Sequence, residues 1–199
     1  MKYIRLPFFF LLIPSFLTAD AISDSYVFEY KKEYNKAFEI LEPASKENAN
    51  DYFLQLRMGW LALLKGDYTK SSSFYQKATL IHPNAIEPRI GYVRALLALG
   101  QYKQAEVACK TILKLDSKNY FARSNLAYTY YVLSNYSEAE KIYDSIVDDY
   151  PADTEMMIGL GWSFLKQNKK AKANEIFSEL LKIIPKEERV SSGAYYATH

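Results

Sequence analysis

A chain of 199 residues, 49% hydrophobic and 24% charged, is too apolar to stay disordered and long enough for one domain or one short repeat array. Only seven Gly and seven Pro argue against a many-turned β architecture, and a formal net charge of +2 gives no electrostatic pull towards nucleic acid. A single cysteine excludes an internal disulfide framework, and two histidines, His82 and His199, stand too far apart in sequence to suggest a metal site.

The first predicted element is a leader. Lys2 and Arg5 give a positive start, an apolar stretch follows from Leu6 to Leu17, and Ala19-x-Ala21 supplies a small-residue cleavage site. Pro7 and Pro14 interrupt the stretch, which falls short of the roughly 20 apolar residues a membrane anchor needs. Residues 1–19 are therefore read as a signal peptide, with cleavage after Ala19 or Ala21. Removing them takes away Lys2 and Arg5 and no acid, so the mature chain is neutral. The expected location is the periplasm of a Gram-negative bacterium, or otherwise the medium as a secreted protein, with no membrane embedding after processing.

Self-similarity dominates the rest of the chain. Tyr34, Tyr68, Tyr102 and Tyr136 recur every 34 residues, and Lys170 takes the fifth place. Three residues later come Ala37, Ser71, Ala105, Ala139 and Ala173, all small enough to let two helices cross closely. Bulkier columns follow at Leu41, Tyr75, Cys109, Tyr143 and Phe177, and at Ala44, Ala78, Ile112, Ile146 and Leu180. The unit from Tyr52 to Ala85 reads as a helix over Tyr52–Leu64, a turn at Lys65-Gly66-Asp67 and a helix over Tyr68–Ile81. Gly66 suits a helix C-terminus and Asp67 caps the next helix. Gly100-Gln101, Ser134-Asn135 and Asn168-Lys169 repeat the device with residues that serve it less well. Pro83, Pro151 and Pro185 close three units, because proline ends helices.

Leu160-Gly161, Phe164, Ala173, Phe177 and Pro185 resemble the tetratricopeptide-repeat (TPR) pattern, as do Met58-Gly59, Tyr68, Ala78 and Pro83. Leu126-Ala127, Tyr130, Ala139, Tyr143 and Pro151 follow it too. The resemblance covers residues 22–185, in units near 18–51, 52–85, 86–119, 120–153 and 154–187. It implies an all-α fold: a right-handed superhelical solenoid of about five helix-turn-helix hairpins. The pattern's leading Trp is absent from every unit, and the first unit is degraded, with Asp24-Ser25 at the apolar–small pair and Pro43 expected to break its second helix. Such a unit suits an end cap. Residues 186–199 are read as a C-terminal tail or partial cap, with a short closing helix around Val190, Ala194 and Tyr195 weakened by the polar Ser191-Ser192-Gly193. A last unit left under-covered would offer surface for homo-oligomer formation.

The resemblance also implies that first helices line a concave face where partners bind. The matching column is Trp60, Arg94, Tyr128 and Trp162, neighboured by Phe53, Leu56, Leu63, Phe121, Ser124, Tyr131, Ile158 and Lys166. Large rings anchor interfaces with few rotatable bonds. Three readings stay open for these aromatics: packing between first helices, a protein or peptide groove, or a site for a hydrophobic small molecule or glycan. Leu56, Ile90, Ser124 and Ile158 stand where the carboxylate-clamp members of the family carry Lys, which disfavours that subclass.

The remaining residues are read structurally. Cys109 falls in a core column. His82 is expected to cap carbonyls before Pro83, and Glu138–Lys141 and Asp148-Asp149 are read as solvated helix faces. Asn135-Tyr136-Ser137 matches a glycosylation sequon in an exposed turn. No phosphate loop, HExxH or Gly-x-Ser-x-Gly is present, and no nucleophile has a nearby His. The expected function is an exported, non-enzymatic scaffold without cofactors that binds a protein or peptide. The alternatives are a self-assembling structural subunit of an envelope complex and a small-molecule or glycan binder.

Overall fold

The computed structural model describes residues 15–199, so most of the predicted leader, residues 1–14, lies outside the described residues. Helices follow one another in the order α1 (Ser15–Tyr30), α2 (Tyr34–Glu47), α3 (Tyr52–Leu64), α4 (Tyr68–Ile81), α5 (Glu87–Ala98), α6 (Tyr102–Leu115), α7 (Tyr120–Val132), α8 (Tyr136–Asp149), α9 (Thr154–Lys166), α10 (Lys170–Ile183) and α11 (Glu188–Thr198). Among the described residues there is no strand. Each helix packs on its neighbours in sequence, and α3 on α5, α7 on α9 and α9 on α11. Contacts that reach only to adjoining hairpins make a solenoid, in which each pair buries what the next one exposes.

The repeating tyrosines and Lys170 are the first residues of α2, α4, α6, α8 and α10. Each of these helices is entered through the same turn. Lys32, Gly66, Gly100, Ser134 and Asn168 all adopt positive φ, between 59° and 82°. The residue after each donates its backbone N–H to a carbonyl five residues back: Glu33 to Phe28, Asp67 to Ala62, Gln101 to Leu96, Asn135 to Tyr130 and Lys169 to Phe164, at 2.8–2.9 Å. This closure satisfies carbonyls the ending helix leaves free. Three of the five left-handed positions are filled by residues with a Cβ, at a cost of about 1 kcal/mol each. Asp67 Oδ1 accepts from Lys70 N at 3.1 Å, as predicted. Asp51, Asn119 and Asp153 cap α3, α7 and α9 in the same way.

The small column is fully buried, and Ser71 Oγ donates to the Gly59 carbonyl of the preceding helix at 2.8 Å. The two backbones of that hairpin approach to within one hydroxyl. Leu41, Tyr75, Cys109, Tyr143 and Phe177 are likewise buried.

Size matching governs the joints between hairpins. Wherever the buried residue of the second helix is a ring, the facing position of the next hairpin is glycine: Gly91 over Tyr75, Gly159 over Tyr143 and Gly193 over Phe177. A Cβ built on Gly159 would stand 2.5 Å from Tyr143 Cζ, and one on Gly91 or Gly193 would overlap its ring too. Where the buried residue is smaller, at Leu41 and Cys109, the same register position carries Arg57 and Asn125. Volume is thus conserved across each joint, as a close-packed core requires.

Several expectations are corrected. Pro43 lies inside α2 without breaking it. Both Pro43 and Glu39, whose carbonyl loses its donor, are exposed, so that carbonyl is left on the solvent side while Leu41 and Ser45 stay buried. His82 does not cap with its side chain; its imidazole packs edge-on against Tyr52, with ring centroids 4.5 Å apart. Asp149 is more than a solvated charge, since it accepts from Arg123 Nη1 at 2.6 Å. The tail forms α11, which buries Val190, Gly193 and Ala197 against α9 and α10 while Tyr195 stays exposed.

Overfilling a joint should be destabilising. Gly159→Ala is expected to lower stability by about 1–3 kcal/mol in denaturant melts, because the methyl group meets a buried ring that cannot move aside. An unchanged midpoint would refute the size matching at that joint.

Candidate partner-binding face

The odd-numbered helices share one face, and two hollows open on it. The first, of about 630 Å³, lies among α1, α3 and α5; its walls include Phe53, Leu56, Trp60, Ile90 and Arg94. The second, of about 540 Å³, lies among α7, α9 and α11; its walls include Ser124, Tyr128, Tyr131, Ile158 and Trp162. The floor of each is a tyrosine from the helix behind, Tyr75 in the first and Tyr143 in the second, reached because Gly91 or Gly159 has no side chain.

The predicted column is therefore divided between two sites. Phe53, Leu56, Trp60 and Arg94 come together in one, and Tyr128, Tyr131 and Trp162 in the other. Phe121 lines neither; its ring lies beneath the Arg94 guanidinium, 5.2 Å from Cζ to centroid. Lys166 and Leu63 line neither hollow. Phe53 and Tyr128 are exposed, at 43% and 46%, whereas both tryptophans are half-buried.

The tryptophans are tethered. Trp60 Nε1 donates to Glu29 Oε1 at 2.7 Å, and Trp162 Nε1 donates to the Arg189 carbonyl at 3.2 Å. Each ring ties its own helix to a neighbouring first-layer helix while showing one side to the hollow. Arg57, buried at 6% exposure, donates through Nη1 to Glu29 and through Nε to Ser25 Oγ at 3.2 Å. Its Nη2 has no hydrogen-bond partner, and its Cζ lies 3.7 Å from the Tyr26 ring centroid, so the cation is held partly by the π face. In the second hollow Arg189 pairs bidentately with Glu155, at 2.8 and 2.9 Å. The hydrogen bonds from Arg189 hold the Glu155 carboxyl below its usual range.

Sequence reading missed Glu29, Arg57, Tyr75, Tyr143, Glu155 and Arg189. The available signal was the glycine register, Gly91, Gly159 and Gly193, which marks where a ring of the previous hairpin is uncovered.

Chemically, the face offers rings, hydroxyls and paired charges. Among the described residues no group of three or more His, Cys, Asp or Glu could hold a metal ion. Burial pushes the Cys109 thiol up to about 12, so it is inert as a nucleophile. Nor is any helix of the described residues long and apolar enough to cross a membrane.

Family models of the tetratricopeptide repeat match residues 62–123, 96–156 and 155–186, well over half of the chain. The chain belongs to the tetratricopeptide-repeat family. A tetratricopeptide repeat protein from Parabacteroides merdae is similar in structure, with a TM-score of 0.83 at 20% identity over 92% of this chain and 74% of its own. MamA from Desulfovibrio magneticus aligns with a TM-score of 0.79 at 17% identity, over 86% of this chain and 97% of its own. YrrB, a TPR protein with an unusual peptide-binding site, aligns with a TM-score of 0.76 at 15% identity, over 88% and 90%. These likenesses establish the fold, and no curated protein matches the chain. Tetratricopeptide repeats are interaction scaffolds, and the solenoid described above is one in architecture.

Burial also pushes the Tyr75 hydroxyl up to about 12, with Arg94 opposing the rise and Glu87 adding to it. Below pH 10 the phenol is protonated in both folded and unfolded chains, and its burial contributes in full. Between about pH 10 and 12 the unfolded chain ionises first, so stability falls as pH rises. The Tyr75→Phe variant should lose less melting temperature across that window than the parent. Identical pH profiles would show that Tyr75 does not titrate late.

Proposed function

We propose that this tetratricopeptide-repeat chain is an exported, non-enzymatic scaffold that binds a segment of a partner protein along the face of its odd-numbered helices. The observation that carries this reading is the pair of ring-walled hollows, each with a half-buried tryptophan, an exposed aromatic ring and a polar floor. Apolar concavities with a few fixed polar groups are what ligand sites are made of. That YrrB, of similar fold, has a peptide-binding site supports the same use of this architecture.

Export rests on Lys2, Arg5, the apolar run Leu6–Leu17 and Ala19-x-Ala21. Ala21 and Ile22 pack on the core of the first hairpin, and cleavage after Ala19 keeps both.

Phe53 and Tyr128 are the rings to change, because they are exposed and make none of the tryptophans' tethering bonds. Replacing both with Ala should abolish capture of the partner that crosslinks to the parent in its host, with helical circular dichroism unchanged. Retained capture would remove this face from the function. N-terminal sequencing of the protein recovered from its host should begin at Asp20 or Ile22; an intact Met1 would refute export.

A further inference from the structure

The two hollows share one core, although α1 closes the first and α11, which is not its repeat equivalent, closes the second. A shift of two repeats carries Leu56, Arg57, Trp60, Tyr75, Glu87, Ile90, Gly91 and Arg94 onto Ser124, Asn125, Tyr128, Tyr143, Glu155, Ile158, Gly159 and Trp162. The floor, the glycine that uncovers it, the aliphatic wall and the acid on the rim are retained, and the cation Arg94 becomes a ring. Between them, at the joint of Cys109 and Asn125, the floor has no ring and the covering position has a side chain. The face therefore alternates open and filled joints.

Each floor is also polar. Tyr75 and Tyr143 are each only 4% exposed, and neither hydroxyl hydrogen-bonds another described residue, so what each shows is turned to the hollow it lines. A joint with nothing to bind is more simply filled by phenylalanine, as Phe177 does under Gly193. Among the described residues the two buried tyrosines are the two that floor the hollows.

Resting on the reading of this face as a partner-binding surface, we infer that it holds one extended peptide at two equivalent points, each taking an apolar side chain whose adjoining backbone carbonyl accepts from the Tyr75 or Tyr143 hydroxyl. Two sites of one design, set along the solenoid by its own repeat, match a ligand that repeats its own chemistry, as an extended polypeptide does. A purely apolar molecule would cover the walls and leave both hydroxyls unpaired. Charge distinguishes the two points. In the second hollow the Glu155 and Arg189 charges are paired with each other. In the first, Glu29 is taken by Arg57 and Trp60, while Arg94, lying over Phe121, and Glu87 on the rim each make no ion pair among the described residues. An acidic residue beside the first anchor would complete it.

Selection of random linear peptides displayed on phage against the purified mature chain provides the probes, and fluorescence anisotropy of the selected peptides reads their affinities. The selected sequences should share two apolar anchors at one fixed spacing, with an acid next to one of them. Tyr75→Phe and Tyr143→Phe, which keep the ring and its packing, should each weaken binding about 2- to 10-fold, the range a single hydrogen bond supports. Arg94→Gln should weaken binding and flatten its salt dependence. Peptides that lose binding with Phe53→Ala and Tyr128→Ala but not with either phenylalanine variant would overturn the two-point inference and leave the face itself standing. Peptides indifferent to all of these changes, or a selection that returns none, would overturn both.

Discussion

The structure depends on one contact repeated down its length: a buried side chain of each second helix pressed against the first helix of the following hairpin. Helix propensity alone would not hold hairpins of this size, whose helices run 12 to 16 residues before the closing α11. Stacking is what stabilises them, and stacking demands that volume be shared correctly across each joint. Tyr75, Tyr143 and Phe177 take the space that Gly91, Gly159 and Gly193 give up; Leu41 and Cys109 leave space to Arg57 and Asn125. Where the ring is Tyr75 or Tyr143, the joint is also open, because the glycine that admits the ring leaves no side chain above it. Packing and site are therefore the same feature. The hollows are consequences of how the solenoid is filled.

Charge follows the same logic. Arg57 is buried at the first joint, where the smaller Leu41 leaves room, and Glu29, Ser25 and the Tyr26 ring receive it. Those partners all come from α1, so the degraded first unit neutralises the cation that the second unit buries. Removing one partner of a buried pair leaves an uncompensated charge, which is far costlier than the pair is favourable. At the other end Arg189 and the α11 glycine perform the closing role, covering Phe177 and fixing Trp162.

Much of this is legible in the sequence because the solenoid repeats it. The 34-residue period marks the hairpins, and the bounds read for the second unit, Tyr52–Leu64 and Tyr68–Ile81, are those observed. The small column is small for the reason expected, shown by Ser71 reaching the Gly59 carbonyl. What repeat reading loses is what does not repeat. Glu29 shares its register with Leu63 and Leu97, so nothing periodic marks it as the partner of Arg57 and Trp60. The local rule for Pro43 fails because the lost donor lies on an exposed helix face, where a carbonyl without a protein partner costs little. The aromatic column looks like one stripe because period alone cannot show that alternate joints are open. Seeing that requires pairing each glycine with a ring sixteen positions earlier, a spacing between hairpins rather than along one.

The joint at Cys109 and Asn125 tests size matching most directly, since it is filled where its neighbours are open. A double-mutant cycle in equilibrium denaturation would compare Cys109→Tyr, Asn125→Gly and the two together. Size matching predicts that Cys109→Tyr alone is strongly destabilising, that adding Asn125→Gly restores most of the loss, and that the double variant gains a third hollow. Strictly additive effects, with no recovery in the double variant, would contradict it.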